Sequence, residues 1–426
     1  MSAFHATKMK RALSSLVVAA VFSSGAALAS SPAQAVFDET VFFLLTQYGG
    51  FSETNLRALP EAYQTKLNAA CMDRANTCPV DVAYPIVSDM VRAVGDEHTN
   101  FYPKSGANFR ELLGGRGSST GFGIRPTKLP SGFFVRAVQV GSPAATAGVR
   151  RGDRIVALDG APVPREEEGF YALWDKAQAS SAPVLIGLTR QGARVSVTVR
   201  ATKLEAELPS LNVRADGVAV LRVPDFIGRG IGTVGPKMHA LTLEAQAAGA
   251  RAMIVDLRDN PGGFITECFG GVAAFAPDNL AQKLVSRAPL QNASLRWNDA
   301  SVLQTALGVE RSVYTVNPVA KWEKPVAVLV NKYSASCAEF FPLNFLEAKR
   351  GAVVGETTYG VGNTVTGFNF LSDGSALQVT VSRSIKPDGT PYPERITPTV
   401  AVPDDLERIN ATGEDAVLGA ALEQLK

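Results

Sequence analysis

V-N-K-Y-S-A-S-C-A-E, residues Val330 to Glu339, follows the apolar run Pro325–Val330 and precedes Phe340–Lys349, which continues as a helix. The run reads as a buried strand, and the small residues between strand and helix read as a tight turn. Such a turn lets a backbone approach a ligand closely and points free N–H groups at it. A serine placed there is either a nucleophile beside its own oxyanion donors or a helix cap. In the second case Ser334 or Ser336 is the cap, and Glu339 closes a capping box on Ser336. The turn alone does not choose between the two.

A second turn of the same type lies upstream. D-L-R-D-N-P-G-G, residues 256–263, ends the apolar run Ala252–Leu257 and opens Phe264–Phe275, a helical stretch. From Leu211 onward strands and helices alternate. Val218–Val223 is a strand, and Gly235–Ala248 is a helix with Pro236 in its first turn. Ala352–Val354, Gly367–Phe370 and Ala376–Ser384 are further strands, and Glu414–Leu425 is a closing helix. This alternation predicts an α/β core over residues 205–426. If the two apolar strands are parallel neighbours, both turns lie at one end of the sheet, where ligands bind in open α/β folds. Ser336 then faces N–H groups of the other turn, which together meet the needs of acyl transfer. Taken by itself, the glycine pair is a tight turn and nothing more.

Upstream, Val36–Tyr48, Pro60–Met72 and Val80–Val94 carry helical periodicity and predict a helical region over 36–105. It ends in the polar turn G-D-E-H-T-N at 95–100. Short strands follow, with Asp159-Gly160 as a hairpin turn. The block from Phe109 to Lys203, inside a domain drawn at 106–204, resembles a PDZ domain. The residues that carry this are G-F-G-I at 121–124 and G-S-P-A-A-T-A-G-V-R-R-G-D-R-I-V-A-L-D-G at 141–160. The resemblance implies that an extended peptide adds to a sheet edge, its carboxylate meeting N–H groups of Gly121, Phe122, Gly123 and Ile124. The alternative is a PDZ fold used only for internal packing.

A chain of 426 residues is too long for one ordinary core and predicts two or three domains. Apolar residues at 46% and charged residues at 19% exclude wholesale disorder. A net charge of +2 gives no argument for nucleic acid or an acidic membrane as partner. Lys8, Lys10 and Arg11, the apolar Leu13–Phe22, and A-x-A sites at 27–29 and 33–35 read as a secretory signal peptide over residues 1–35. The apolar run is short for a membrane anchor, and no later stretch is long enough to span a bilayer. The expected location is therefore periplasmic or secreted, with no stable membrane span after cleavage. An oxidising compartment favours a local disulfide between Cys71 and Cys78. Cys268 and Cys337 are two buried thiols, or a second bridge if their turns meet. No His or Cys pair has metal-ligand spacing, and no metal or organic cofactor is expected.

Taken together, G-D-E-H-T at 95–99, the PDZ residues, D-L-R-D-N-P-G-G and N-K-Y-S-A-S-C-A-E resemble the carboxy-terminal processing, or tail-specific, serine peptidases of family S41. The resemblance covers nearly the whole exported chain. It implies a multidomain α/β (α+β) fold: a helical N-terminal part, an inserted PDZ domain and a ClpP/crotonase-like α/β core. It also implies Ser336 as nucleophile, with oxyanion donors from Cys337 N–H and Gly262 N–H, and Gly263 close behind. One position departs from the family. Where the family carries a lysine base in G-K-G-T-x-Q, 25 positions after the serine, this chain has Gly360-Val361-Gly362-Asn363-Thr364-Val365. Val361 accepts no proton, so the Ser–Lys dyad is absent.

Two readings follow. In the first, His98 replaces the lysine, because its D-E-H-T motif resembles the catalytic-histidine site of the tricorn-like and retinoid-binding-protein-like branches. An imidazole titrating near neutrality suits that task. Glu394, 58 positions after Ser336, resembles the supporting carboxylate of the tricorn-like branch, acting on His98 directly or through Thr99 or another hydroxyl. Lysine-dependent members carry the same D-x-H turn, where the histidine is structural. Lys332 and Lys386 read as surface lysines, and His239 as decoration on a helix. This reading makes the chain an exported serine endopeptidase acting near the carboxy termini of proteins or peptides. In the second reading the chain is a catalytically dead homologue that binds or scaffolds peptides through its PDZ domain.

Overall fold

Ala252–Asp256 and Val326–Val330 are buried along their whole length and lie side by side in parallel, Met253 opposite Val326 and Asp256 opposite Leu329. Strands so apolar on both faces need cover on both sides of a sheet. The computed structural model, which describes residues 30–74, 76–104, 119–288, 292–386 and 388–426, supplies it. Six strands run in the order Ser210–Val213, Val218–Arg222, Ala252–Asp256, Val326–Val330, Ala352–Gly355, Val400–Ala401. All pairings but the first are parallel. Alternate side chains point to opposite faces. Met253, Val255 and Val328 pack with Phe269 and Phe341, and Ile254, Ala327 and Leu329 with Val417 and Ala421. The two turns therefore leave the same end of one sheet, as the parallel arrangement requires.

A second, antiparallel sheet lies beside the core. Ala376–Ile385 pairs with Thr364–Phe370 on one edge and with Asn100–Tyr102 and Ala281–Val285 on the other. A meander of Ala293–Asn298, Ser301–Ala306 and Val309–Thr315 extends it. Pairing of Asn100–Tyr102 brings the D-E-H-T turn next to Thr364 and Thr380.

The N-terminal helices are Pro32–Gln47, Leu59–Ala70 and Val80–Arg92. The first begins four residues earlier than the helix expected from Val36. Ser31 Oγ accepts from Gln34 N and Pro32 occupies the first turn, a strong start signal. The A-x-A site at 33–35 thus lies inside a helix, and Ala33 is fully buried. Residues 1–29, and with them most of the expected signal peptide, lie outside the described residues. Among the described residues no helix is long and apolar enough to cross a membrane.

The inserted domain is a sheet ordered Ile124–Leu129, Gly132–Val138, Arg154–Leu158, Pro183–Arg190, Ala193–Arg200. Its core stacks Phe133 on Phe170 at 3.6 Å. Asp159-Gly160 is the expected hairpin turn, both residues at positive φ between paired Leu158 and Ala161. The expected closing helix is Ala416–Glu423, and a further helix, Leu406–Thr412, precedes it and ends at Gly413 with φ +79°. Asn410 of this further helix donates to the carbonyls of Gly152 and Thr189, and Arg151 pairs with Asp404 at 2.5 Å. These contacts fasten the inserted domain to the core. Cys71–Cys78 and Cys268–Cys337 are both disulfides.

Candidate active site

The serine turn and the glycine turn are laced together by short polar contacts. Ser334, fully buried, donates to Leu257 O at 2.9 Å and accepts from Asn331 N at 2.9 Å. Asn331 exchanges two hydrogen bonds with Asp259, each at 3.0 Å. Ala335 N donates to Asn260 O at 3.0 Å. Ser334 is thus committed to structure, whereas Ser336 lies partly exposed at the tip. Ser336 has φ +52°, an uncommon conformation for a residue with a Cβ.

Gly262 explains how the tip fits. Its φ is +100°, and a Cβ there would stand 2.7 Å from Ser336 Cβ and 3.1 Å from Cys337 N. Only glycine allows the approach. The Gly262 N–H, expected to face an oxyanion, instead donates to Asn260 Oδ1 at 2.8 Å. An Asn side chain two residues upstream closes this turn on itself. The amides of Gly263 and Cys337 find no acceptor among the described residues; Cys337 is the first residue of its helix, where N–H groups have no intrahelical partner.

Glu339 closes the capping box as expected, accepting from Ser336 N at 2.8 Å. It does more than cap. The same carboxylate accepts from Thr358 Oγ1 at 2.6 Å, Gly360 N at 2.8 Å and Val361 N at 2.9 Å. Burial raises its pKa, while these four donors pull it back. Glu339 therefore clips the 360–364 loop, where the family lysine is missing, directly onto the backbone of Ser336.

His98 sits at the other end of that loop. Its Nδ1 is 2.7 Å from Thr364 Oγ1, and its backbone N–H donates to Asp96 Oδ1 at 2.9 Å. No hydrogen bond joins it to Ser336 among the described residues. Burial pushes its pKa down to about 4, against the pull of the Asp96 carboxylate. The near-neutral titration expected from sequence does not hold in this conformation. Glu394 does not orient His98 here. Its side chain is 62% exposed and 3.7 Å from Arg383, and it is the Glu394 carbonyl that reaches the loop, accepting from Gly362 N at 2.8 Å. Lys332 lies over the Tyr333 ring and Lys386 beside Glu347, neither on the serine. His239 is not helix decoration but fully buried, bonded to Gly270 O and Ala320 N and stacked on Trp297.

Gly121–Ile124 lies at the start of the edge strand Ile124–Leu129. Gly123 has φ +81°, and a Cβ there would fall 2.2 Å from Ser142 Cβ. Phe122 is buried against Trp174, and its N–H donates to Gln178 Oε1 at 3.4 Å. A side-chain carbonyl thus takes up one of the amides expected to meet a carboxylate. The same strand touches both turns of the core. Arg125 donates to Asp259 O at 3.2 Å, and Thr127 Oγ1 is 3.3 Å from Tyr333 OH.

Residues 217–402 match the family model described as peptidase family S41, and residues 134–183 match that of the PDZ domain. The core of this chain belongs to peptidase family S41. The chain is 30% identical over 335 residues, 72% of its length, to carboxyl-terminal-processing peptidase 2 of Arabidopsis thaliana chloroplasts, covering 58% of that protein. It is 25% identical over 306 residues, 70% of the chain, to the carboxyl-terminal-processing protease of Synechocystis, covering 66% of it. The chain spans less than two thirds of the length of either relative. The fold is shared with an S41 protease candidate from Bacteroides fragilis, with a TM-score of 0.58 at 16% identity over 90% of this chain and 96% of that one.

Within this S41 core, sequence reading placed both turns at one end of the sheet, as the structure has them. It missed Asn260, Asn331 and Thr358, which hold the turns in place. Asn at a strand end that opens a turn was the signal available for the first two, beside two glycines for Asn260 and beside small residues for Asn331. Thr358 carried none.

Proposed function

We propose that the chain is an exported serine endopeptidase that binds a protein or peptide carboxy terminus through its PDZ domain and cleaves nearby. The observation that carries this reading is the meeting of the two turns, with Gly262 packed on Ser336 and the Cys337 amide free. Ser336 Oγ attacks the scissile carbonyl, and an acyl-enzyme forms that water then hydrolyses. The oxyanion lies between the Cys337 amide and the Gly262–Gly263 peptide unit, whose N–H belongs to Gly263. Val361 leaves the lysine's role vacant, and His98 takes the proton once substrate draws the 360–364 loop and the D-E-H-T turn toward the serine. Glu394 supports that loop through its backbone. The peptide lies along Ile124–Leu129, and its carboxylate displaces Gln178 from the Phe122 amide.

Export follows from the n-region, the apolar h-region and the first A-x-A site. Cleavage after Ala29 leaves Ser31 to cap the first helix, whereas cleavage after Ala35 would remove that cap and a buried residue. N-terminal sequencing of the exported protein, returning Ser30 as first residue, tests this.

The second reading, a non-catalytic peptide-binding protein, draws on one observation: His98 is bonded to Thr364 and not to Ser336. A serine-reactive fluorophosphonate separates the two. Under the peptidase reading wild type labels, Ser336→Ala does not, and His98→Ala labels far more slowly. Absence of labelling in wild type selects the binding protein, and wild-type labelling in His98→Ala removes His98 as base.

A further inference from the structure

The helices that follow the two turns are joined covalently. Cys268 belongs to Ile265–Val272, behind the glycine turn, and Cys337 is the first residue of Cys337–Glu347, immediately after Ser336. Their disulfide spans 69 residues of sequence with Cα atoms 5.7 Å apart, and both residues are buried. Among the described residues the backbone and side-chain oxygen and nitrogen hydrogen bonds between the turns lie before the tip: Ser334 to Leu257, Asn331 to Asp259, and Ala335 to Asn260. Beside the Glu339 carboxylate that holds its N–H, Ser336 is thus flanked by the Ala335–Asn260 hydrogen bond on one side and the Cys268–Cys337 bond on the other. The disulfide sits on the residue whose amide faces the developing oxyanion.

We propose that the Cys268–Cys337 disulfide is a positioning device for acyl transfer, fixing the Cys337 amide against the Gly262–Gly263 peptide, so that its cleavage slows the chemical step while sparing substrate binding. This rests on the peptidase reading above. Donors aimed before the reaction begins are what make an oxyanion hole effective, and a misplacement of about 1 Å costs on the order of 100-fold in rate. A dithiol breaks the bond reversibly. Its thiolate attacks one cysteine sulfur, expelling the other cysteine as thiolate and forming a mixed disulfide; the reagent's second thiolate then closes a ring on its own sulfur and expels the remaining cysteine thiolate. The dithiol leaves as a cyclic disulfide, and two cysteine thiols remain.

The test uses the full exported chain and a fluorophosphonate, with maximal labelling rate and half-saturating concentration read separately. Cys268→Ala and Cys337→Ala each lower the maximal rate at least about tenfold and leave half-saturation within about twofold. The double variant is no slower than either single, because each breaks the same bond; such non-additivity marks one shared interaction. In a Cys71→Ala/Cys78→Ala background, dithiothreitol slows labelling to the same level as thiol titration reaches two per chain, and reoxidation restores it. Circular dichroism establishes that each variant is folded. Should Cys337→Ala not fold, Cys268→Ala, which leaves the oxyanion-side backbone unsubstituted, carries the comparison. Variants that label at the parental rate, or singles whose losses add in the double, overturn the proposal while leaving the peptidase reading standing. Failure of the intact, oxidised protein to label at Ser336 removes that reading and this one with it.

Discussion

Gly262→Ala is the perturbation that bears most directly on whether the two turns form one site. The substitution asks an L-residue to hold φ +100°, which costs about 1–3 kcal/mol. It also drives a methyl to 2.7 Å from Ser336 Cβ and 2.9 Å from Ala335 O. Neither neighbour is a flexible side-chain end, so crowding adds roughly 1–3 kcal/mol, giving a combined loss of about 2–6 kcal/mol. Gly249→Ala separates the two contributions: its φ is +74° but no atom lies within 4 Å of the added methyl. That control should lose only about 1–2 kcal/mol and label normally. Urea unfolding gives the stabilities, and fluorophosphonate labelling gives the rate, expected to fall about 100-fold if Ser336 shifts by about 1 Å. A Gly262→Ala protein as stable as the Gly249→Ala control and labelling at the wild-type rate would refute the contact between the turns.

Three further outcomes follow from the same geometry. Glu339→Gln offers an amide where four donors need acceptors, leaving at least two buried donors unmatched; at about 1–3 kcal/mol each this is roughly 2–6 kcal/mol, measured by urea unfolding. His98 is depressed to about 4 in the folded protein, so the unfolded chain takes up its proton first as pH falls. Stability is full above about 6.5, is lost between about 6.5 and 4 by about 3 kcal/mol, and levels off below. The difference in unfolding midpoint between wild type and His98→Asn across that window isolates it from His239, which shifts the same way. Val361→Lys places an amine on the loop that Glu339 clips to Ser336, and is expected to accelerate labelling; an unchanged rate would mean that the loop does not present residue 361 to the serine.

The parts of this molecule legible in its sequence are those whose local chemistry has only one use. Two apolar strands each ending in a small-residue turn announced the α/β core, and the long glycine-punctuated run at 141–160 announced the PDZ domain. The meander over Ala293–Thr315 escaped notice because its turns are Asp299-Ala300 and Leu307-Gly308. Three of those four residues take positive φ without being glycine, so the usual hairpin signal is muted. The first helix was placed late because a signal peptide's small residues and a helix's capping residues look alike between 30 and 35. At the site, the strand-end turns were enough to bring Ser336 and Gly262 together. They did not show how the Gly262 amide is spent, since Asn260 closes its own turn only when the backbone has already bent. Nor did they foretell the depth at which His98 is buried, which depends on strands more than 260 residues away, around Thr364 and Thr380.

The seam made by Asn410, Asp404 and Arg151 has a geometric corollary. If the inserted domain holds a peptide end as proposed, this seam keeps that end at a set distance from Ser336. Such an arrangement would measure length rather than read side chains. The site of scission would be counted from the terminus, and lengthening a substrate's tail would shift the cut by the same number of residues.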